Sequence, residues 1–178
     1  FFPQTEALFY YSKDKGRTVP DEADKRQRVI VGMRPCDAKA LTLLDNVFDA
    51  DDFKDPYYVE KRENTVIISL ACNSPQRSCF CTSVGIEPHA KQGCDVLMVD
   101  LGQKYLLEAV TEKGQNLLEK LKGLADAEDE DLAQAQQGAI EAKDKVNRQL
   151  NTDGLTEKLD GMMDHSVWDR LHERCLGC

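Results

Sequence analysis

The chain has 178 residues, and its 23 basic and 32 acidic residues give a formal net charge of −9. This acidic balance argues against a general affinity for nucleic acid or anionic membranes, and no run approaches the ~18 apolar residues of a membrane span. Seven cysteines are a high and odd number for this length. They favour metal ligation in a reducing compartment over a secreted disulfide scaffold, so we expect a cytoplasmic protein.

The first predicted elements are a strand and a helix. The β-branched run at 28–33 is typical of a strand buried on both faces, and Pro35 is expected to end it. Apolar residues then recur at helical spacing over 38–48, with Asp37 at the position of an N-cap. Pro56 in a first turn predicts a short helix over 56–62.

Two more apolar runs predict strands at 65–71 and 95–100, separated by a cysteine-rich loop. After Gly102, the segment 104–110 is expected to pair with the preceding strand across a tight turn. The order strand, helix, strand, loop, strand predicts an α/β fold with a largely parallel sheet and flanking helices.

The rest of the chain is predicted to be mainly helical. Leucines at helical spacing over 117–124 and a narrow stripe of small residues over 132–150 indicate amphipathic helices. The acidic run 126–131 is typical of a helix N-terminus or a solvated loop. A last amphipathic helix is expected over 164–173.

Four cysteines are predicted to meet at one edge of the sheet. Cys36 follows the first strand and Cys72 the second, and parallel neighbouring strands end at the same ligand-binding edge. In an extended segment, Cys79 and Cys81 would direct both sulfurs to one side. Four converging thiolates suit a tetrahedral zinc ion or an iron–sulfur cluster, and the spacing alone does not choose between them.

The remaining cysteines have different contexts. Cys94 stands alone before a strand, where a buried apolar role is favoured, and it is the substitute ligand if one of the four fails. Cys175 and Cys178 form a Cys-x-x-Cys pair, which suits zinc, a redox dithiol or the start of a ferredoxin pattern. Because the chain opens without Met and closes on this pair, we expect it to be the middle of a longer polypeptide.

Several motifs together resemble a known family. Gly32-Met33-Arg34-Pro35-Cys36-Asp37 resembles the Gly-x-x-Pro-Cys-Asp signature of iron–sulfur electron-transfer subunits. These include the beta subunit of sulfhydrogenase-type nickel–iron hydrogenases and the A subunit of anaerobic sulfite reductase. Further similar segments are Phe2-Pro3-Gln4-Thr5-Glu6, Asp55-Pro56-Tyr57-Tyr58, Arg62-Glu63-Asn64-Thr65, the loop from Cys72 through Ser78-Cys79-Phe80-Cys81-Thr82-Ser83, and Arg174-Cys175-Leu176-Gly177-Cys178. Gly85-Ile86-Glu87-Pro88 departs from the family's Gly-x-Gly-Pro turn.

The resemblance implies a cofactor and a domain division. One [4Fe–4S] cluster would be held by Cys36, Cys72, Cys79 and Cys81, and further clusters by a ferredoxin-type domain that Cys175 and Cys178 begin. The division would be an α/β cluster-binding domain over 1–111, a helical connector over 112–174, and the start of the ferredoxin-type domain at 175–178.

The resemblance also implies a role in a complex. The chain would be a non-catalytic subunit that relays electrons in a cytoplasmic, anaerobic oxidoreductase complex. Its partners would be a reductase subunit carrying FAD and [2Fe–2S], and a catalytic subunit resembling a hydrogenase or a sulfite reductase. The residues leave two other classes open: a zinc-stapled scaffold subunit, and a flavin- or nucleotide-binding α/β domain whose cysteines are incidental.

Overall fold

The computed structural model describes residues 5–14, 16–20 and 25–174. The strands are β1 (Phe9–Ser12), β2 (Arg17–Pro20), β3 (Arg28–Met33), β4 (Thr65–Leu70), β5 (Val96–Asp100) and β6 (Tyr105–Ala109). The α-helices are α1 (Pro35–Phe48), α2 (Pro56–Glu63), α3 (Glu112–Leu118), α4 (Asp129–Asp144), α5 (Leu155–Asp160) and α6 (Val167–His172). A single turn of 3₁₀ helix covers Cys81–Val84. Within this part of the chain, no helix is long and apolar enough to cross a membrane.

The main sheet has the strand order β3-β4-β5-β6. β3 pairs in parallel with β4, and β4 in parallel with β5, whereas β6 returns antiparallel to β5 across a tight turn. The predicted α/β fold with a largely parallel sheet and flanking helices is thereby confirmed. All four of its predicted strands are present, each bound agreeing to within one residue.

A second, two-stranded sheet stands apart from the main one. β1 and β2 pair antiparallel in a region where the sequence pattern predicted no strand. The chain leading into β1 is held to α2, because the Tyr57 hydroxyl donates a hydrogen bond to the carbonyl of Leu8 at 2.5 Å. Lys61 and Glu6 form an ion pair in the same place.

The hydrophobic core lies between the main sheet and α1. Ile67 on β4 and Ala38 on α1 are both fully buried there, and Ala135 of α4 packs against the same cluster. The other buried members of this cluster are Leu41, Ala71, Cys94, Leu97 and Val99. Ile67, Leu97 and Val99 of the strands thus pack against Ala38 and Leu41 of α1, so the sheet and the helix bury their apolar faces together.

Helix α1 begins earlier than predicted. Asp37 is not the N-cap, because the helix starts at Pro35 and the extended residue Arg34 precedes it without a side-chain cap. Proline is favoured at the first helical position, since it has no N–H that would lack a partner there. This start places Cys36 in the first turn of the helix.

A buried carboxylate attaches α3 to the sheet. Asp95 accepts hydrogen bonds from the backbone N–H of Ile67 at 2.8 Å and from the Thr111 hydroxyl at 2.6 Å, and Thr111 is the N-cap of α3. Gly114 packs so closely that a Cβ there would lie 1.9 Å from the Asp95 carbonyl oxygen. Only glycine fits where α3 packs against the backbone of Asp95.

The helical part differs from the prediction in its helix lengths. α3 ends at Leu118, and Leu121 and Leu124 beyond it are exposed. α4 ends at Asp144 instead of continuing to 150. Its start agrees with the prediction, because the acidic run forms a capping box between Glu128 and Asp131. After α4, tertiary contacts determine the backbone conformation, and the helical periodicity of the sequence does not.

Candidate metal centre at the sheet edge

Cys36 and Cys72 are delivered to one edge by neighbouring parallel strands. Cys36 lies in the first turn of α1, directly after β3, and Cys72 follows the end of β4. The Cys72 backbone N–H donates to the Pro88 carbonyl at 2.9 Å. This bond joins the start of the cysteine-rich loop to its far end.

Cys79 and Cys81 enter the same region from the loop between β4 and β5. The segment is not extended as predicted, because Cys81 begins the 3₁₀ turn. The turn closes at Gly85, which has a left-handed backbone with φ of 73°, a conformation that glycine adopts without strain. The Ile86 N–H then donates to the Cys81 carbonyl at 3.0 Å, so the loop folds back immediately after this cysteine.

One pocket of about 400 Å³ is lined by all four of these cysteines, Cys36, Cys72, Cys79 and Cys81. Its wall also includes Pro35, Pro75, Phe80 and Pro88, which make it mostly apolar. Among residues 5–14, 16–20 and 25–174, no three His, Cys, Asp or Glu side chains are grouped so that they could hold a metal ion as they stand. The structure thus brings the four thiols to a shared cavity, and their joint ligation stays a prediction.

The sulfur of Cys79 accepts a backbone hydrogen bond. The Gln76 N–H lies 3.2 Å from Cys79 Sγ, and the Cys79 N–H returns a bond to the Gln76 carbonyl at 2.9 Å. Such N–H groups stabilise a thiolate, and in iron–sulfur sites they help to set the reduction potential. The Cys36 thiol is within 3.9 Å of Asp37 Oδ1.

The thiols also influence one another electrostatically. Burial raises the pKa of the Cys81 thiol, and the neighbouring Cys79 and Cys72 raise it further. Burial likewise raises the pKa of Cys36, with added repulsion from Asp37 and from Cys81. Several thiolates in one apolar cavity are therefore costly unless a cationic centre offsets their charge. Soft sulfur donors of this kind fit zinc or an iron–sulfur cluster.

The chain from the end of α4 to Leu150 crosses the outside of the cysteine loop. Lys143 Nζ pairs with Glu87 Oε1 at 2.6 Å, and the Arg148 guanidinium lies 5.9 Å from the centre of the Phe80 ring. The Leu150 N–H donates to the Ser83 hydroxyl at 2.9 Å. No sequence motif indicated this contact, which joins residues far apart along the chain.

A further polar chain joins the loop to the sheet. Asn73 Nδ2 donates to the Asp100 carbonyl at 2.8 Å, and Asn73 Oδ1 lies 2.9 Å from His89 Nε2. Because the Asn73 amide is oriented by the first bond, His89 Nε2 must be the donor in the second. His89 is half-buried and lies beside Gly138 of α4.

The other cysteines lie elsewhere. Cys94 is buried in the core, where its thiol donates to the Lys91 carbonyl at 3.3 Å, and it does not line the shared pocket. Burial raises the pKa of Cys94, as expected for a cysteine that packs as a small apolar side chain. Cys175 and Cys178 lie outside the described residues.

The described part of the chain is thus an α/β fold in which two strand ends and one loop bring four thiols to a single pocket. The chain is 28% identical over 179 residues to the beta subunit of sulfhydrogenase 2 from Pyrococcus furiosus. The alignment covers 100% of this chain and 52% of that protein, so the chain spans about half the length of this curated relative. No family model and no solved structure matches the chain. The resemblance to sulfhydrogenase-type beta subunits, inferred from the motifs, is thereby confirmed.

Proposed function

We propose that the chain is an iron–sulfur electron-transfer subunit of a hydrogenase-type oxidoreductase complex. The observation that carries this proposal is the shared pocket lined by Cys36, Cys72, Cys79 and Cys81. Similarity along the whole chain to a sulfhydrogenase beta subunit supports the redox role. The protein itself would catalyse no bond-making step and would pass electrons between partners in the cytoplasm.

The four pocket cysteines would hold one [4Fe–4S] cluster, which supplies one-electron transfer when bound. The protein's own contribution is its environment. The Gln76 N–H aimed at Cys79 Sγ and the apolar wall of prolines and Phe80 would set the reduction potential through hydrogen bonding and restricted solvent access. The first amides of α1 next to Cys36 would offset negative charge at the site.

The remaining parts of the proposal concern domains and partners. Residues 1–111 would form the cluster-binding domain and 112–174 a connector. Cys175 and Cys178 would begin a ferredoxin-type domain with further [4Fe–4S] clusters. A reductase subunit with FAD and [2Fe–2S] would stand on one side of the relay and a catalytic subunit, hydrogenase- or sulfite-reductase-like, on the other.

The test is the iron and acid-labile sulfide content of anaerobically purified protein. Cys79→Ser should remove about four iron and four sulfide per chain, the content of one cubane cluster. It should also remove part of the broad brown absorbance of the protein. The paired variant Cys175→Ser/Cys178→Ser should leave the pocket cluster in place.

Cys94→Ala is the matched control, because this thiol packs in the core and does not line the pocket. Its iron and sulfide content should equal that of the wild type. A colourless wild-type protein that contains zinc would instead establish the scaffold alternative, and sharp yellow bands would indicate a flavin domain. Equal iron in wild type and Cys79→Ser would contradict the four-cysteine ligand set.

A further inference from the structure

Exposed apolar side chains surround the mouth of the cysteine pocket. Phe80 stands between Cys79 and Cys81 and is 40% exposed, and Val84 at the end of the 3₁₀ turn is 48% exposed. Both side chains line the pocket. Exposed apolar side chains beside a pocket are typical of a contact area for another molecule.

The side chains around this mouth include several cations. Arg34, which precedes α1, lines the pocket. Arg77 is exposed in the cysteine-rich loop between β4 and β5. Arg148 lies over Phe80 and Lys143 pairs with Glu87. Two carboxylates accompany them, Glu87 in the pocket lining and Asp37 next to Cys36. Cations therefore outnumber carboxylates here, although the chain carries a net charge of −9.

We infer that this mouth is the docking face for a redox protein whose contact surface is acidic around an apolar centre. The inference rests on the proposed function, because electron transfer requires a partner to approach the cluster closely. Opposite charges would steer that partner to the mouth against the repulsion of the remaining acidic surface. Phe80 and Val84 would then meet its apolar centre. Such electron-transfer contacts are small and transient.

Arg148 distinguishes this face from an ordinary loop surface. It comes from the segment that follows α4, yet its guanidinium lies against the ring of Phe80, next to two predicted ligands. A cation over an aromatic face is attracted electrostatically to the ring, which favours this position of both side chains. The segment after α4 thus contributes charge to the mouth as well as covering the loop, and this segment and the cysteine loop would form the face together.

The test uses the iron-loaded chain and a plant-type [2Fe–2S] ferredoxin with an acidic surface as the probe. Its binding is titrated by fluorescence anisotropy at low and high salt, and its electron transfer to the chain is followed by stopped flow. Arg34→Glu/Arg77→Glu/Arg148→Glu should weaken binding about tenfold at low salt and slow the electron transfer to a similar extent. The milder triple replacement of these arginines with glutamine should show the same direction and keeps the test valid if charge reversal unfolds the loop.

The matched control is Lys113→Glu/Lys120→Glu/Lys122→Glu, which makes the same change in net charge on exposed residues that do not line the pocket. It should weaken binding far less. Equal weakening of binding by both triple variants would overturn the docking face, and so would binding that does not change with salt. Either result in a chain that still carries its cluster would leave the proposed function standing. Self-association through the mouth, detected by sedimentation, would assign the face to a second copy and overturn it too. A wild-type chain without iron would overturn the proposed function and this inference together.

Discussion

The sheet region and the helical region of this chain are stabilised differently. Between β3 and β6, side chains such as Ile67 and Val96 are completely buried. In contrast, α5 and α6 contain no buried residue. The deeply buried apolar side chains of the helical region are Ala142 at 0% and Val146 at 5% exposure, close in sequence to the residues that touch the cysteine loop. The helical region is thus held to the sheet through Thr111 and Gly114 at the start of α3 and through Ala135 of α4. A second attachment joins the end of α4 and the chain after it to the cysteine loop.

This difference suggests what the helical region does. Its segment 143–150 places one ion pair, one cation–π contact and one backbone hydrogen bond on the loop that carries Cys79 and Cys81. A loop with few buried apolar side chains of its own gains order from such outside contacts. The sheet thus fixes Cys36 and Cys72, and the segment after α4 helps to fix the other two cysteines.

The largest expected effect is the removal of a sheet-core side chain. Ile67→Ala should lower the free energy of unfolding by about 3 kcal/mol, because it leaves a cavity at a fully buried position. Leu159→Ala on α5 deletes the same number of carbon atoms from a side chain that is 43% exposed. It should cost no more than about 0.5 kcal/mol. Denaturant unfolding of both variants measures the contrast, and equal losses would show that the helical region is as tightly packed as the sheet.

The meeting of Cys36 and Cys72 at one edge of the sheet could be predicted from sequence, because the patterns that mark the strands and the helix between them are local. The β-branched runs of β3 and β4 mark adjacent strands, and a helix between them requires a parallel crossover. Cys36 and Cys72 then have to emerge at the same edge. The predicted helix start was wrong by three residues, because the helix begins at Pro35 after Arg34 and Asp37 is not its N-cap.

The conformation around Cys81 could not be predicted in the same way. Its 3₁₀ turn is closed by Gly85 and braced by Leu150, whose N–H donates to Ser83 from 67 residues away in sequence. No local pattern encodes a contact at that separation. The helical periodicity of 132–150 was misleading for the same reason, because the chain leaves α4 after Asp144 to make contacts with the cysteine loop.

An intermediate effect is expected where the two regions touch. Ser83→Ala removes the acceptor of the Leu150 N–H and the donor to Gln149 Oε1. It should lower the free energy of unfolding by about 1 kcal/mol and speed hydrogen exchange at Leu150. Ser166→Ala is the control, since the Ser166 side chain makes no capping bond at the start of α6. Unchanged exchange in Ser83→Ala would show that the contact does not hold this segment to the loop.

The smallest effect concerns pH and the other bridge between the regions. Burial lowers the pKa of His89 below its ordinary value of 6.5, so the unfolded chain binds the proton more readily than the folded one. The contribution of His89 to stability is therefore complete above 6.5 and declines as the pH falls through the lower folded-state pKa. Denaturant unfolding at a series of pH values should show this decline.

His89→Gln is the matched variant for this measurement. A glutamine amide can still donate to Asn73 Oδ1, the acceptor that His89 Nε2 uses at 2.9 Å, but it does not titrate. The difference in unfolding free energy between wild type and variant should therefore change with pH below 6.5 in favour of the variant. A constant difference across that range would mean that the protonated His89 side chain is solvated in the folded protein. The contact between the cysteine loop and α4 would then be less tightly packed than the sheet.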